Sequence, residues 1–168
     1  MTTVEDNIFW SQQGGPIAFE LARKMEGYWD TPAYALFISG CMAPDEPIIR
    51  SLTGLSDKQF IREMTGTGGT ETFLLEQPEL LYPFLATLRQ DIGLCEKYVS
   101  PISEPLRTPI HILWGTEDYL ITQKMIDGWR RFFSGNNIAF YPHKGNGFYR
   151  HQQSENVINI ICEVLTSV

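Results

Sequence analysis

Residues 8–24 read IFWSQQGGPIAFELARK, and this stretch decides the fold. A short apolar run at 8–10 precedes the Gly14-Gly15 pair, and residues with helical periodicity follow it. Pro16 suits the first turn of that helix, because the N–H that proline lacks would have no helical partner there. The helical pattern continues through Lys24, and Ile17, Leu21 and Met25 form an apolar stripe along the helix. The stretch is therefore typical of an apolar segment that turns at two glycines into a helix.

Three further runs predict strands. The run 33–38 is unbroken and lacks the alternation of a half-solvated strand, so it suits a parallel strand buried on both faces. The runs 109–114 and 137–141 predict two more. Helices are predicted from Thr122 to Phe133, stopped by Gly135, and over 157–165. Strands that alternate with helices predict an α/β fold with a mostly parallel sheet flanked by helices.

The composition is that of an ordinary globular chain of one domain, 168 residues long. The formal net charge of -7 predicts an acidic surface that repels phosphate backbones, so no nucleic-acid partner is expected. The start of the chain lacks the features of a signal sequence, and no apolar run is long enough to span a bilayer. Three widely spaced cysteines, Cys41, Cys95 and Cys162, indicate reduced thiols. A cytoplasmic protein with no membrane partner, metal or other cofactor is therefore predicted.

A resemblance to one family runs in order along nearly the whole chain. Residues 13–24 resemble the helix after the nucleophile elbow of type II thioesterases, the editing enzymes of nonribosomal peptide and polyketide synthesis. Residues 109–118 resemble the strand and loop that carry the family's catalytic acid. Residues 145–149 resemble the segment that usually reads Gly-Gly-His-Phe. The family has an α/β-hydrolase fold, so the resemblance implies that fold here.

The pattern from 51 to 100 is helical, and several of its pieces resemble the family's lid. These pieces are 55–60, 77–80 and 83–91. The resemblance implies a single α/β-hydrolase-like domain over 1–168, with a helical lid insertion at 51–100.

The family's reactive side chains are replaced at two positions. The elbow reads G-x-S-x-G, and with the motif anchored on Gly14, Gln12 occupies the nucleophile position. Gly147 falls where the base histidine belongs. The resemblance leaves Asp118 as the retained acid and the Gln13 backbone N–H as an oxyanion donor. Because the chain also starts almost at the elbow, it is expected to be an N-terminally truncated and catalytically degenerate homologue.

Other side chains are alternative reactive groups. Ser11 lies one place before the nucleophile position, where a turn or cap serine is the simpler interpretation. His143 and His151 flank the base position and could reach the pocket, although surface loop residues are expected there. Cys41 follows a strand's C-terminal end, where α/β sheets hold ligands, although a packed thiol is expected. His111 alternates with isoleucines and is expected in the core.

These residues leave several functions open. The first is a thioesterase-like protein of natural-product biosynthesis without serine-type hydrolysis, which binds a partner or an acyl ligand. The second is an active thioesterase, or a rewired enzyme, that acts on a carrier-bound acyl intermediate through Asp118 with a displaced His, Ser11 or Cys41. The third is a decayed fragment that folds but does little. An acyl or peptidyl carrier protein is a candidate partner, and a homodimer or partner protein is expected to cover the sheet edge near Ile8.

Overall fold

A computed structural model describes residues 7–11, 14–46, 51–66, 76–100, 104–118 and 120–166. The described strands form one sheet of four, in the order β1-β2-β3-β4, and every neighbouring pair is parallel. The strands are β1 (Asn7–Ser11), β2 (Ala35–Ser39), β3 (Ile110–Gly115) and β4 (Ile138–His143). The predicted α/β fold with a mostly parallel sheet is therefore confirmed. All five residues of β2 are buried, as its unbroken apolar run predicts.

Helix α1 (Gly15–Trp29) connects β1 to β2 and packs on one face of the sheet. Its buried residues are Gly15, Ala18, Phe19, Ala22 and Met25. Of the apolar stripe, only Met25 is buried, since Ile17 is 60% exposed and Leu21 is 41% exposed. The residues of α1 that face the sheet lie beside this stripe. One of them is Phe19, whose ring contacts Trp129 and Phe132 edge-on. This leaves an apolar row of α1 facing outward.

Two apolar clusters lie on opposite faces of the sheet. The α1 side contains Phe19, Ile38, Ile112 and Trp129. The other side combines strand residues such as Phe37 and Leu113 with side chains of two C-terminal helices. These helices are α5 (Tyr149–Gln152) and α6 (Ser154–Thr166). The sheet is thus covered on both faces, as a parallel sheet requires.

The described part of 51–100 is mainly helical. It contains α2 (Asp57–Gly66), a 3-10 helix (Pro78–Phe84) and α3 (Leu85–Lys97). A separate buried cluster of Phe60, Ile61, Leu85 and Ile92 holds these helices together. None of the helices in the described part of the chain has the length and apolarity of a bilayer span.

The helix predicted from Thr122 to Phe133 is shorter than expected. Thr122 is its N-cap, since the side chain accepts the Met125 N–H at 3.4 Å. Helix α4 covers only Gln123–Asp127, and a 3-10 helix follows at Gly128–Arg131. The tighter turns place the Trp129 ring against the protein interior, where its Nε1–H donates to the Cys41 carbonyl at 2.9 Å. Packing of that indole therefore overrides the helical pattern.

Candidate functional site

A cavity of about 270 Å³ opens at the C-terminal ends of the strands. Residues that follow β2, β3 and β4 line it together with residues of α2 and α3. Its lining is mainly apolar and includes Met42, Leu52, Met64, Ile92, Leu120, Ile121 and Phe148. Open parallel sheets bind their ligands at this edge. The position and the lining together indicate a site for an apolar group.

Asp118 lies three residues after the end of β3 and contributes its carboxylate to the cavity wall. Its Oδ1 accepts the backbone N–H of Leu120 at 2.8 Å, which fixes the side chain. Burial raises the pKa of Asp118 above its ordinary value, and the N–H groups of Leu120 and Ile121 partly oppose that rise. The cavity therefore contains a carboxylate whose charge is poorly solvated.

Gly147, in the loop after β4, lies directly against this carboxylate. A Cβ built on Gly147 would be 2.6 Å from Asp118 Oδ2. The loop is held by the Glu117 N–H, which donates to the Gly145 carbonyl at 2.8 Å, and by the Phe148 N–H, which donates to Asn146 Oδ1 at 2.9 Å. The structure thus brings together the two positions that the sequence predicts for the acid and the base.

Only three residues separate β1 from α1 in the sequence. Strand β1 ends at Ser11 and α1 begins at Gly15, while Gln12 and Gln13 lie outside the described residues, as does the side chain of Ser11. The Trp10 indole packs directly over Gly14, because a Cβ there would be 1.1 Å from Trp10 Nε1. The resemblance predicts that Trp10 stands at the position of the elbow's first glycine.

The thioesterase domain family matches residues 10–165. The chain belongs to the thioesterase family. It is 31% identical to the gramicidin S biosynthesis protein GrsT of Aneurinibacillus migulanus over 160 residues, which are 92% of this chain and 60% of GrsT. The chain therefore spans less than two thirds of the length of this relative.

Solved structures of type II thioesterases have the same fold as this thioesterase-family chain. The type II thioesterase YbtT of the yersiniabactin pathway superposes with a TM-score of 0.81 and 31% identity, over 92% of this chain and 63% of YbtT. ClbQ of the colibactin pathway superposes with a TM-score of 0.83 and 28% identity, over 99% of this chain and 71% of ClbQ. The α/β-hydrolase fold and the family resemblance are thus both confirmed.

His143 was expected on a surface loop of this thioesterase-family chain, and that prediction was wrong. Strand β4 runs two residues further than predicted, so His143 is its last residue and is only 7% exposed. Its ring stacks on Tyr149 at 4.8 Å, and its Nδ1 lies 3.2 Å from Gln153 Oε1. It does not line the cavity. His151 lies in α5, and its side chain is outside the described residues.

The Cys41 thiol lines the cavity and packs closely at the start of α1. A Cβ built on Gly15 would be 2.7 Å from its Sγ. Burial, with a smaller contribution from nearby Cys95, raises the pKa of Cys41 to about 12. The thiol is therefore protonated at neutral pH, whereas a nucleophilic cysteine acts as the thiolate.

His111 lies inside the sheet, away from the cavity. Its ring stacks on Phe37 at 4.8 Å, and its Nδ1 lies 3.1 Å from the Tyr141 hydroxyl. Burial lowers the pKa of His111, which favours the neutral ring. Within the described residues, no group of three or more His, Cys, Asp or Glu is arranged to hold a metal ion.

Proposed function

We propose that this protein is a thioesterase-like component of nonribosomal peptide or polyketide biosynthesis, which binds an acyl ligand in its cavity without serine-type hydrolysis. The pathway class comes from the relatives, since YbtT is named as a type II thioesterase of such a pathway and GrsT as a gramicidin S biosynthesis protein. The apolar cavity at the end of the sheet supports an acyl ligand.

The contact between Asp118 and Gly147 carries this proposal. In a serine hydrolase the acid orients an imidazole, and that imidazole moves the proton. Here Asp118 Oδ2 lies 2.6 Å from the point where a side chain at 147 would begin. No histidine is among the described residues that line the cavity. Loss of the base alone costs on the order of a million-fold in a serine hydrolase.

The first test is hydrolysis of octanoyl-pantetheine, with an active type II thioesterase as the positive control. We expect no release of free thiol above the buffer rate. Turnover that disappears in Asp118→Ala would contradict the proposal, because it would place this carboxylate in a working catalytic group. That outcome would favour the alternative of an active thioesterase or a rewired enzyme on a carrier-bound acyl intermediate.

We further propose that residues 51–100 act as the lid of a single domain that covers 1–168. Met64 of α2 and Ile92 of α3 line the cavity together with Asp118 and Phe148, which supports this role. A lid should lose mobility when the cavity is filled. Octanoyl-pantetheine amide should therefore slow amide hydrogen exchange in α2 and α3, and unchanged exchange in the presence of bound ligand would argue against a lid.

An acyl or peptidyl carrier protein is the proposed source of the ligand, because the relatives come from biosynthetic pathways that use such carriers. Calorimetry with one carrier protein in its acylated and its unacylated form tests this partner. We expect tighter binding of the acylated form, because only that form can fill the cavity. Equal affinities would argue that the carrier does not present the ligand.

We also propose that a second copy or a partner protein covers the edge of the sheet at β1. Phe9 and Trp10 of this strand are 43% and 42% exposed, and Trp10 lines one groove together with the exposed α1 residues Ile17 and Leu21. Trp10, Ile17 and Leu94 line an open groove of about 680 Å³ between α1 and α3. Light scattering at micromolar concentration should give a mass above the 19.2 kDa of one chain.

A further inference from the structure

Two carboxylates lie among the described residues that line the cavity, and they differ in their surroundings. Glu46 Oε1 is 2.7 Å from the Arg131 guanidinium, so its charge is paired. Asp118 accepts hydrogen bonds from the uncharged N–H groups of Leu120 and Ile121. No Lys, Arg or His lies among the described lining residues. A carboxylate without a counter-charge in an apolar site costs free energy, which a cation on a ligand would recover.

Gly147 lies in close contact with one oxygen of this carboxylate. Oδ1 is used by the Leu120 N–H, while Oδ2 faces Gly147. A side chain at position 147 would begin 2.6 Å from Oδ2 and would displace it. Because Asp118 lines the cavity, a group on a bound ligand can approach its carboxylate from the cavity side.

We infer that the Asp118 carboxylate, in the wall of this mainly apolar cavity, forms a subsite for a protonated primary amine, so that the cavity prefers acyl ligands that carry an ammonium group. The inference rests on the proposed function, because it takes an acyl ligand in this cavity as given. Met64, Ile92 and Phe148 contact the hydrocarbon part of such a ligand. A ligand with a neutral end leaves Asp118 without a counter-charge, and a ligand with an anionic end adds repulsion.

The test compares two amide analogues of the same length, octanoyl-pantetheine amide and ω-amino-octanoyl-pantetheine amide, by isothermal titration calorimetry. Charge-assisted hydrogen bonds are stronger than neutral ones, so we expect the amine analogue to bind about 10-fold to 100-fold more tightly. Asp118→Asn should remove this preference, because the amide lacks the negative charge. Glu117→Gln is the matched control, since it removes an equal charge from an exposed neighbour outside the cavity lining.

Each outcome has a distinct meaning. If both analogues bind wild-type protein equally, or if Asp118→Asn keeps the preference, the amine subsite is wrong while acyl binding stands. If neither analogue binds, the proposed function itself fails. The comparison of the two ligands on wild-type protein does not depend on the folding of any variant, and circular dichroism checks that Asp118→Asn is folded before its affinities are used.

Discussion

At the scale of single residues, the site has an acid that faces a glycine. The Gly147 backbone lies outside the left-handed region, so a residue with a side chain can occupy this position. A histidine there would require the Asp118 carboxylate to move aside, because its Oδ2 now fills the space nearest to Gly147. Rotation of one carboxylate is a small rearrangement for a half-buried side chain. The position is therefore suited to a test by substitution.

We expect the double variant Gln12→Ser, Gly147→His to hydrolyse octanoyl-pantetheine faster than either single variant. Nucleophile and base act as a unit in serine hydrolases, so restoring one alone should give no gain. The measurement is the initial rate of thiol release under identical conditions for all three variants. Equal rates for the double and single variants would argue against the assignment of positions 12 and 147 to nucleophile and base, or would show that a further group limits the reaction.

Sequence reasoning predicted some residues of the site well and others poorly. Asp118 and Gly147 follow neighbouring strands in the sequence, and the ends of parallel strands meet at one edge, so their proximity could be predicted. The burial of His143 could not, because it depends on a strand end that shifted by two residues. The contact of Trp10 with Gly14 could not be predicted either, because a residue pattern does not specify which side chain packs over a glycine.

At the scale of elements, the N-cap Gly14 and the interior Gly27 of α1 are expected to respond oppositely to the same substitution. A methyl group at Gly14 would overlap the Trp10 indole, so Gly14→Ala should lower the free energy of unfolding by about 1–3 kcal/mol. Gly27 has no atom within 4 Å of a new Cβ, so Gly27→Ala should raise it by about 0.5–1 kcal/mol through helix propensity. Urea unfolding measures the free energy of unfolding of both variants. A stable Gly14→Ala variant with unchanged tryptophan emission would contradict the described contact.

Glu26 attaches the C-terminal half of α1 to the segment before β3. Its carboxylate accepts the backbone N–H of Arg107 at 3.0 Å, and the N–H and hydroxyl of Thr108, each at 2.7 Å. The side chain is only 9% exposed. Burial raises the pKa of Glu26, but the hydrogen bonds from Arg107 and Thr108 outweigh burial and hold it below the ordinary value. The ionised form is therefore the one that stabilises the fold.

Glu26→Gln should reduce the free energy of unfolding at neutral pH by about 1–3 kcal/mol. A folded-state pKa below the unfolded one gives stability that is present above the unfolded value, near pH 4.3 for glutamate, and is lost as pH falls through the folded value. The difference in the free energy of unfolding between wild type and Glu26→Gln should therefore become smaller as the pH falls. Urea unfolding across this pH range measures it, with the exposed Glu104→Gln as control. A difference that does not change with pH would show that the charge of Glu26 is not its cause.

At the scale of the whole molecule, the order of strands and helices was predictable because each strand is a distinct apolar run between glycines and polar turns. The outward face of α1 was not predictable. Helical spacing identifies Ile17, Leu21 and Met25 as one row, but the row that meets the sheet is set by Phe19, which packs against Trp129 and Phe132 from a distant part of the chain. Long-range aromatic packing therefore decides which apolar residues of α1 remain exposed.

That outward row supports a prediction about assembly. If a second copy covers the β1 edge and the exposed face of α1, Ile17→Glu should weaken dimerisation by at least about tenfold, because it buries a charge in an apolar contact. The control is Ile158→Glu on α6, a position of similar exposure (56%) on the opposite side of the sheet, which should leave the dimer intact. Sedimentation equilibrium measures the dissociation constant of each variant. A monomeric wild-type chain, or equal effects of the two substitutions, would exclude this face as the dimer interface.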